Sequence, residues 1–223
     1  MFSLPQTKLM KPAQIPNLLT FARLALAIVS FVYLHQLIGA GGDPVAIESI
    51  AFKAFWLYLV AVATDFLDGR IARRYGWVSS LGRIADPVVD KVLILGGMMF
   101  LAAAPFLTTP EDFGPVMPVW FVVLVMTREF LVTALRGLVE SKGMSFAAEA
   151  VGKWKMVAQS AYVLILIGRV AMIPEFLHIA PLRLVCHPAF VVFLFWAVVG
   201  MTVWSGFDYS IRAARMLSKE QSS

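Results

Sequence analysis

The sequence predicts an all-α integral membrane protein: six transmembrane helices, N and C termini cytoplasmic, and a short N-terminal interfacial helix. Three observations lead there. Apolar residues make up 60% of the 223-residue chain and charged residues only 15%, against about 45–50% and 25% in soluble domains. The mean hydropathy is +0.79. The apolar residues also gather into six stretches, each near the ~20 residues that a helix needs to cross a bilayer. These nearly exhaust the chain, so one membrane domain is expected over 18–210. A cytoplasmic or interfacial segment, 1–17, precedes it and a cytoplasmic tail, 211–223, follows. Such a composition excludes a disordered chain, an ordinary soluble enzyme and a nucleic-acid-binding module, so no nucleic-acid partner is expected.

The N-terminal segment is polar and broken by proline. It does not read as a removable signal peptide, and Lys8 and Lys11 suit an interfacial helix lying against lipid phosphates. The first apolar stretch, 18–38, ends at the Gly-rich GAGGDP of 39–44. The second, 47–64, runs into a charged segment. The third, 84–104, stops before TTPEDFGP at 108–115, and the fourth, 116–139, before SKGMS at 141–145. The fifth, 151–173, and the sixth, 187–210, are separated by Pro174, Pro181 and Pro188. Gly96 and Gly97 in the third stretch allow close helix packing, within the chain or between copies. The lone Cys186 excludes an intramolecular disulfide framework. His35, His178 and His187 fall far from the acidic residues discussed next and suit packing or the interface. Most Trp and Tyr lie toward stretch ends, as aromatic belts do, with Trp77 and Trp154 on the more basic side.

Charge is distributed unevenly. Of the 19 Lys and Arg, all but Lys53, Arg169 and Arg183 fall on the side formed by the termini, 65–91 and 128–155. The opposite loops carry Asp43, Glu48, Glu111, Asp112 and Glu175. The positive-inside rule then places the basic side in the cytoplasm.

Four carboxylates sit at the adjoining ends of the second and third stretches: Asp65, Asp68, Asp86 and Asp90. A charge at the centre of a membrane helix costs about 2.5–3.5 kcal/mol on insertion scales, so such residues mark a protein interior or a watery cavity. Asp65 and Asp68 are three apart and Asp86 and Asp90 four apart, which puts each pair on one helix face. Facing helices would bring all four together, and clustered carboxylates call for hard divalent cations such as Mg2+, Mn2+ or Ca2+ rather than zinc. Simple pairing with Arg70, Arg73, Arg74, Arg83 and Lys91 would account for one acid at a helix end, and poorly for four. Gly69, Ala72 and Gly82 leave room for a ligand to approach, and Arg73 offers a planar fork of donors to phosphate. Any one of those small residues alone would be explained by helix packing.

Residues 65–90 read DFLDGRIARRYGWVSSLGRIADPVVD, that is D-x2-D-G-x2-A-R-x8-G-x3-D-x3-D with every fixed position present. This string resembles the signature of the CDP-alcohol phosphatidyltransferases, a family with a six-helix membrane fold. The resemblance implies that Asp65, Asp68 and Asp86 bind two divalent metals, Mg2+ or Mn2+, with Asp90 also at the metal site. It makes Asp90 the general base and places Gly69, Ala72, Arg73 and Gly82 along the CDP pocket. Three further segments resemble those of the phosphatidylglycerophosphate synthase branch: IPNLLTFARL at 15–24, TREFLVTALR at 127–136 and GKWKMVAQ at 152–159. In the last, Met156 replaces a usual Thr and both lysines are kept.

The cations agree with an anionic acceptor. Arg128 and Arg136 are eight apart, close to two helical turns, and share a face. Lys153 and Lys155 open the next stretch. A basic girdle touching anionic lipid head groups is the alternative, weightier for Lys142 and Lys155 than for Arg128 and Arg136, which lie within or beside apolar helix. The resemblance implies transfer of the phosphatidyl group of CDP-diacylglycerol to glycerol 3-phosphate, with Arg128, Arg136 and Lys153 holding the acceptor phosphate. It also implies a homodimer in the cytoplasmic (inner) membrane, among membrane lipid, with its active site facing the cytoplasm. Within the family the alternatives are a cardiolipin synthase, whose acceptor is phosphatidylglycerol, and a phosphatidylinositol phosphate synthase. From another class, a divalent-cation transporter would also use clustered acids, but these acids sit at one face and no charge series crosses the bilayer.

Overall fold

A computed structural model describes residues 14–40, 43–75, 80–104, 117–144, 150–176, 184–185 and 187–220. Within these spans the side chains of 14–16, 44, 65–75, 80–84, 150–153, 172–176 and 219–220 lie outside the description. Six long helices follow one another: α1 (Gln14–Gly39), α2 (Pro44–Tyr75), α3 (Ser80–Ala103), α4 (Val119–Ser141), α5 (Ala150–Phe176) and α6 (Pro188–Glu220). The interfacial helix expected before α1 falls largely on residues outside the description.

Local chemistry sets several helix ends. Asp43 caps α2, its Oδ1 accepting the Val45 N–H at 3.1 Å, while Pro44 opens the helix with a preset φ and no donor to satisfy. His187 plays the same part for α6, with Nδ1 accepting from the Ala189 N–H at 3.3 Å ahead of Pro188. α4 ends in a Schellman motif: Gly143 takes φ +75°, its N–H reaches the Glu140 carbonyl, and the Met144 N–H reaches that of Val139.

α1 packs against both α2 and α3, α2 against α5, and α6 against α4 and α5, while α3 also touches α4 and α5. α1 and α3 run in the same direction. Thr20 meets Asp86, Arg23 meets Asp90, and Phe31 stacks on Phe100. Gly96 and Gly97 make this packing possible. A Cβ on Gly96 would run into the Phe31 ring, and one on Gly97 would lie 2.9 Å from Tyr58. Both glycines are therefore spent inside the chain, and a contact between copies is not built on them.

Large side chains fill the interior away from the charged end. Tyr58, Met98, Phe121 and Tyr162 are fully buried, and Phe121, Tyr162 and Phe195 meet ring to ring. Much of the outer surface is apolar too, including Phe21, Trp56, Phe130, Phe193, Trp204 and Phe207. In water that exposure would be an aggregation hazard; against lipid it is the expected outer face.

The expectation of six transmembrane helices is corrected. All six helices form, but among the described residues only three are long and apolar enough to cross a membrane: Asn17–Gly39, Val45–Thr64 and Pro188–Ser218. The reason lies in the side chains of the other three. α3 carries Asp86, Asp90 and Lys91, α4 carries Arg128, Glu129 and Arg136, and α5 carries Lys155, Gln159 and Arg169. These residues lower the apolar content of their helices, and most of them line one cavity.

Candidate active site

The cavity lies between α3, α4, α5 and α6 and holds about 340 Å³. Pro87 and Asp90 come from α3, Arg128, Glu129 and Arg136 from α4, Lys155 and Gln159 from α5, and Tyr209 from α6. Pro87 stands one residue after Asp86 inside α3. It donates no hydrogen bond to the carbonyl four residues earlier, which loosens the helix beside the two acids.

α1 holds both described carboxylates. The Thr20 hydroxyl donates to Asp86 Oδ1 at 2.6 Å, and Arg23 Nη1 donates to Asp90 Oδ1 at 2.7 Å. Arg23 is 0% exposed and Asp90 26% exposed, so a wholly buried guanidinium fixes a carboxylate that still opens on the cavity. Thr20 and Arg23 are one turn apart, as are Asp86 and Asp90, and the parallel packing of α1 and α3 matches the two pairs.

The cationic wall is equally ordered. Arg128, 8% exposed, contacts Glu129 through Nη1 at 3.2 Å, and the buried Lys155 forms an ion pair with the same carboxylate. Arg128 Nε donates to Ser205 Oγ at 3.1 Å, and Arg136 Nη2 donates to the Tyr209 hydroxyl at 3.3 Å. Lys91 Nζ donates to Thr133 Oγ1 at 2.6 Å, and that hydroxyl donates to the Glu129 carbonyl at 2.8 Å. Four cations, Lys91, Arg128, Arg136 and Lys155, thus line the cavity with two carboxylates, Asp90 and Glu129. The surplus is positive. Arg136 Nε–H is buried with no hydrogen-bond partner among the described residues, a donor that an anion entering the cavity would satisfy.

Other residues singled out in the sequence fall elsewhere. Asp65, Asp68, Gly69, Ala72 and Arg73 ride on the last turns of α2, and Gly82 on the first turn of α3, with side chains outside the description. The same holds for Lys153 at the start of α5, so of the two lysines in that segment Lys155 is the one whose side chain is seen in the cavity. Trp154 is 70% exposed and is not among the residues that line the cavity. Among the described residues no group of three or more His, Cys, Asp or Glu side chains could hold a metal ion. The described half of the acidic set, Asp86 and Asp90, offers only oxygen donors, the type that suits Mg2+ or Mn2+.

Thr20, Arg23, Glu129, Ser205 and Tyr209 were not singled out by the sequence reading. A signal existed for Arg23, a charge within an apolar stretch, and for Glu129, an acid beside an intramembrane-type arginine. Tyr209 carried none, since an aromatic near a helix end reads as a belt residue.

The family profile of the CDP-alcohol phosphatidyltransferases matches residues 13–204. The chain belongs to this family. It is a membrane-associated transferase of lipid metabolism. Among curated proteins, it is 32% identical over 198 residues to a CDP-diacylglycerol–glycerol-3-phosphate 3-phosphatidyltransferase of Bacillus subtilis (strain 168), covering 87% of this chain and 92% of that one. It is 34% identical over 203 residues to a "probable phosphatidylglycerophosphate synthase" of Mycobacterium tuberculosis (strain H37Rv), covering 91% and 83%. A CMP-forming cardiolipin synthase of Streptomyces coelicolor is 31% identical over 129 residues, 58% of this chain and 53% of that protein. Of the residues lining the cavity of this phosphatidyltransferase, all but Tyr209 fall within the stretch that the family profile matches.

Proposed function

We propose that this CDP-alcohol phosphatidyltransferase transfers the phosphatidyl group of CDP-diacylglycerol to glycerol 3-phosphate, releasing CMP. The observation that carries the reading is the convergence of Arg128, Arg136, Lys155 and Lys91 on a cavity that also contains Asp90. Glycerol 3-phosphate brings a phosphate monoester of nearly two negative charges together with a primary hydroxyl. The cations suit the first, and Asp90 accepts the proton of the second as its oxygen attacks the diacylglycerol-bearing phosphorus. The bond from that phosphorus to the CMP oxygen breaks. Asp65, Asp68, Asp86 and Asp90 would hold two Mg2+ or Mn2+ ions, which when bound neutralise charge on the pyrophosphate. Gly69, Ala72, Arg73 and Gly82 are assigned to the CDP moiety, and Lys153 to the acceptor phosphate beside Arg128 and Arg136. Catalysis is then chiefly placement and charge stabilisation. Arg23, Lys91, Arg128, Arg136 and Lys155 gather at one end, and the positive-inside rule assigns that end to the cytoplasm, where the nucleotide product is released.

The Streptomyces relative favours a second reading, with phosphatidylglycerol as acceptor. Its phosphate is a diester of one negative charge, a poorer match to four cations. Purified protein given CDP-diacylglycerol and labelled glycerol 3-phosphate should yield labelled phosphatidylglycerol phosphate and equimolar CMP. Labelled cardiolipin from phosphatidylglycerol, with no product from glycerol 3-phosphate, would replace the first reading by the second.

A further inference from the structure

α6 has no part in the proposed chemistry, yet it holds both arginines of the acceptor wall. The Arg128 guanidinium lies over the Tyr209 ring, 5.5 Å from its centroid, while the Tyr209 hydroxyl accepts from Arg136 Nη2 at 3.3 Å. One side chain thus contacts one arginine with its π face and the other with its oxygen. One turn earlier, Ser205 Oγ donates to the Thr202 carbonyl at 3.1 Å, which leaves its lone pairs toward Arg128 Nε. Between the two, Gly206 leaves space: a Cβ there would lie 3.1 Å from Arg128 Cγ. Ser205, Gly206 and Tyr209 share one face of α6, and Tyr209 is 5% exposed.

Two guanidinium groups two turns apart repel each other and would splay in an empty cavity. An aromatic face and a hydroxyl oxygen attract both without neutralising either. Glu129 already contacts Arg128, and a second carboxylate in the place of Tyr209 would quench the charge that an anionic ligand needs. We propose that Tyr209 is a positioning residue that sets the spacing and direction of Arg128 and Arg136, and so the affinity for a phosphate monoester. This rests on the acceptor-site reading above.

The test is calorimetric binding of glycerol 3-phosphate to purified protein, with steady-state kinetics alongside. Tyr209→Phe keeps the ring and deletes the hydroxyl; it should weaken glycerol 3-phosphate binding by about 3–10-fold, the scale of one hydrogen bond. KM for glycerol 3-phosphate should rise in step, more than kcat falls, with KM for CDP-diacylglycerol unmoved. Tyr209→Leu also removes the ring and should weaken binding further. In an Arg136→Ala background the Tyr209→Phe effect should vanish, because the bond it removes is already gone; a merely structural Tyr209 would cost the same in both backgrounds. Wild-type protein that binds glycerol 3-phosphate while Tyr209→Phe binds it equally well overturns the role of Tyr209 alone. Wild-type protein that fails to bind it overturns the acceptor site and this role together.

Discussion

Arg23 and Asp90 meet at 2.7 Å, the arginine wholly buried. Deleting one partner of such a pair takes a close counter-charge from the other, which is more damaging than replacing both. Arg23→Ala should therefore lower stability by roughly 2–3 kcal/mol and reduce turnover at least tenfold, since Asp90 loses its fixed direction. Urea denaturation in detergent and CMP release check the two halves, and full activity in a folded Arg23→Ala protein would remove α1 from the site. Asp90→Asn removes a counter-charge of Arg23 but keeps an oxygen for it to bond, so the protein should still fold, with lower stability, while turnover falls by a factor on the order of 100 or more. Substantial activity in that variant would end the assignment of Asp90 as base. Arg136→Ala should raise KM for glycerol 3-phosphate more than KM for CDP-diacylglycerol; equal effects on both would place Arg136 elsewhere in the reaction.

Helix α1 sets its register on α3 through Gly96, where a Cβ would collide with the Phe31 ring. Gly96→Ala should push the two helices apart and cost about 1–3 kcal/mol by overpacking. Phe31 is eight residues beyond Arg23, about 12 Å along the helix, so the shift should also reach the Thr20 and Arg23 contacts and lower activity. Phe31→Leu in the same protein should recover much of the loss. An unchanged melting temperature in Gly96→Ala, measured in detergent micelles, would show that the interface yields without strain. The sequence carried part of this element-level order. Turn chemistry at 39–44, 141–145 and Pro188 marked helix boundaries within a few residues. The i, i+4 spacing put Asp86 and Asp90 on one face, and the eight-residue spacing did the same for Arg128 and Arg136. Pairings such as Thr20 with Asp86 or Tyr209 with Arg136 stayed hidden, because they depend on register between helices more than 60 residues apart in the chain.

For the molecule as a whole, hydropathy found every helix, but among the described residues only three of the six are long and apolar enough to cross a membrane. A window average records apolar content and is blind to burial; α3, α4 and α5 turn most of their described charges into a shared cavity. Which end faces the cytoplasm can be read by labelling. In a Cys186→Ala background, a cysteine at the exposed Ser141 should react with an impermeant maleimide in inside-out vesicles and stay protected in right-side-out ones. The reverse pattern would invert the orientation. The proposed metal dependence would also belong to the whole molecule, because the acids assigned to it come from two helices. EDTA should abolish CMP release, and Mg2+ or Mn2+ should restore it; activity that survives chelation would reject the proposed donor set.

The pairing of Arg23 with a residue 67 positions later also has a timetable. At about 5–20 residues per second, translation delivers Asp90 roughly 3–13 s after Arg23. Through that interval α1 waits without the Asp90 carboxylate that Arg23 meets in the folded protein, and a charge held at the centre of a helix in lipid costs about 2.5–3.5 kcal/mol. The nascent helix has reason to linger in the insertion machinery until α3 brings Asp90, so a residue of the third helix would release the first.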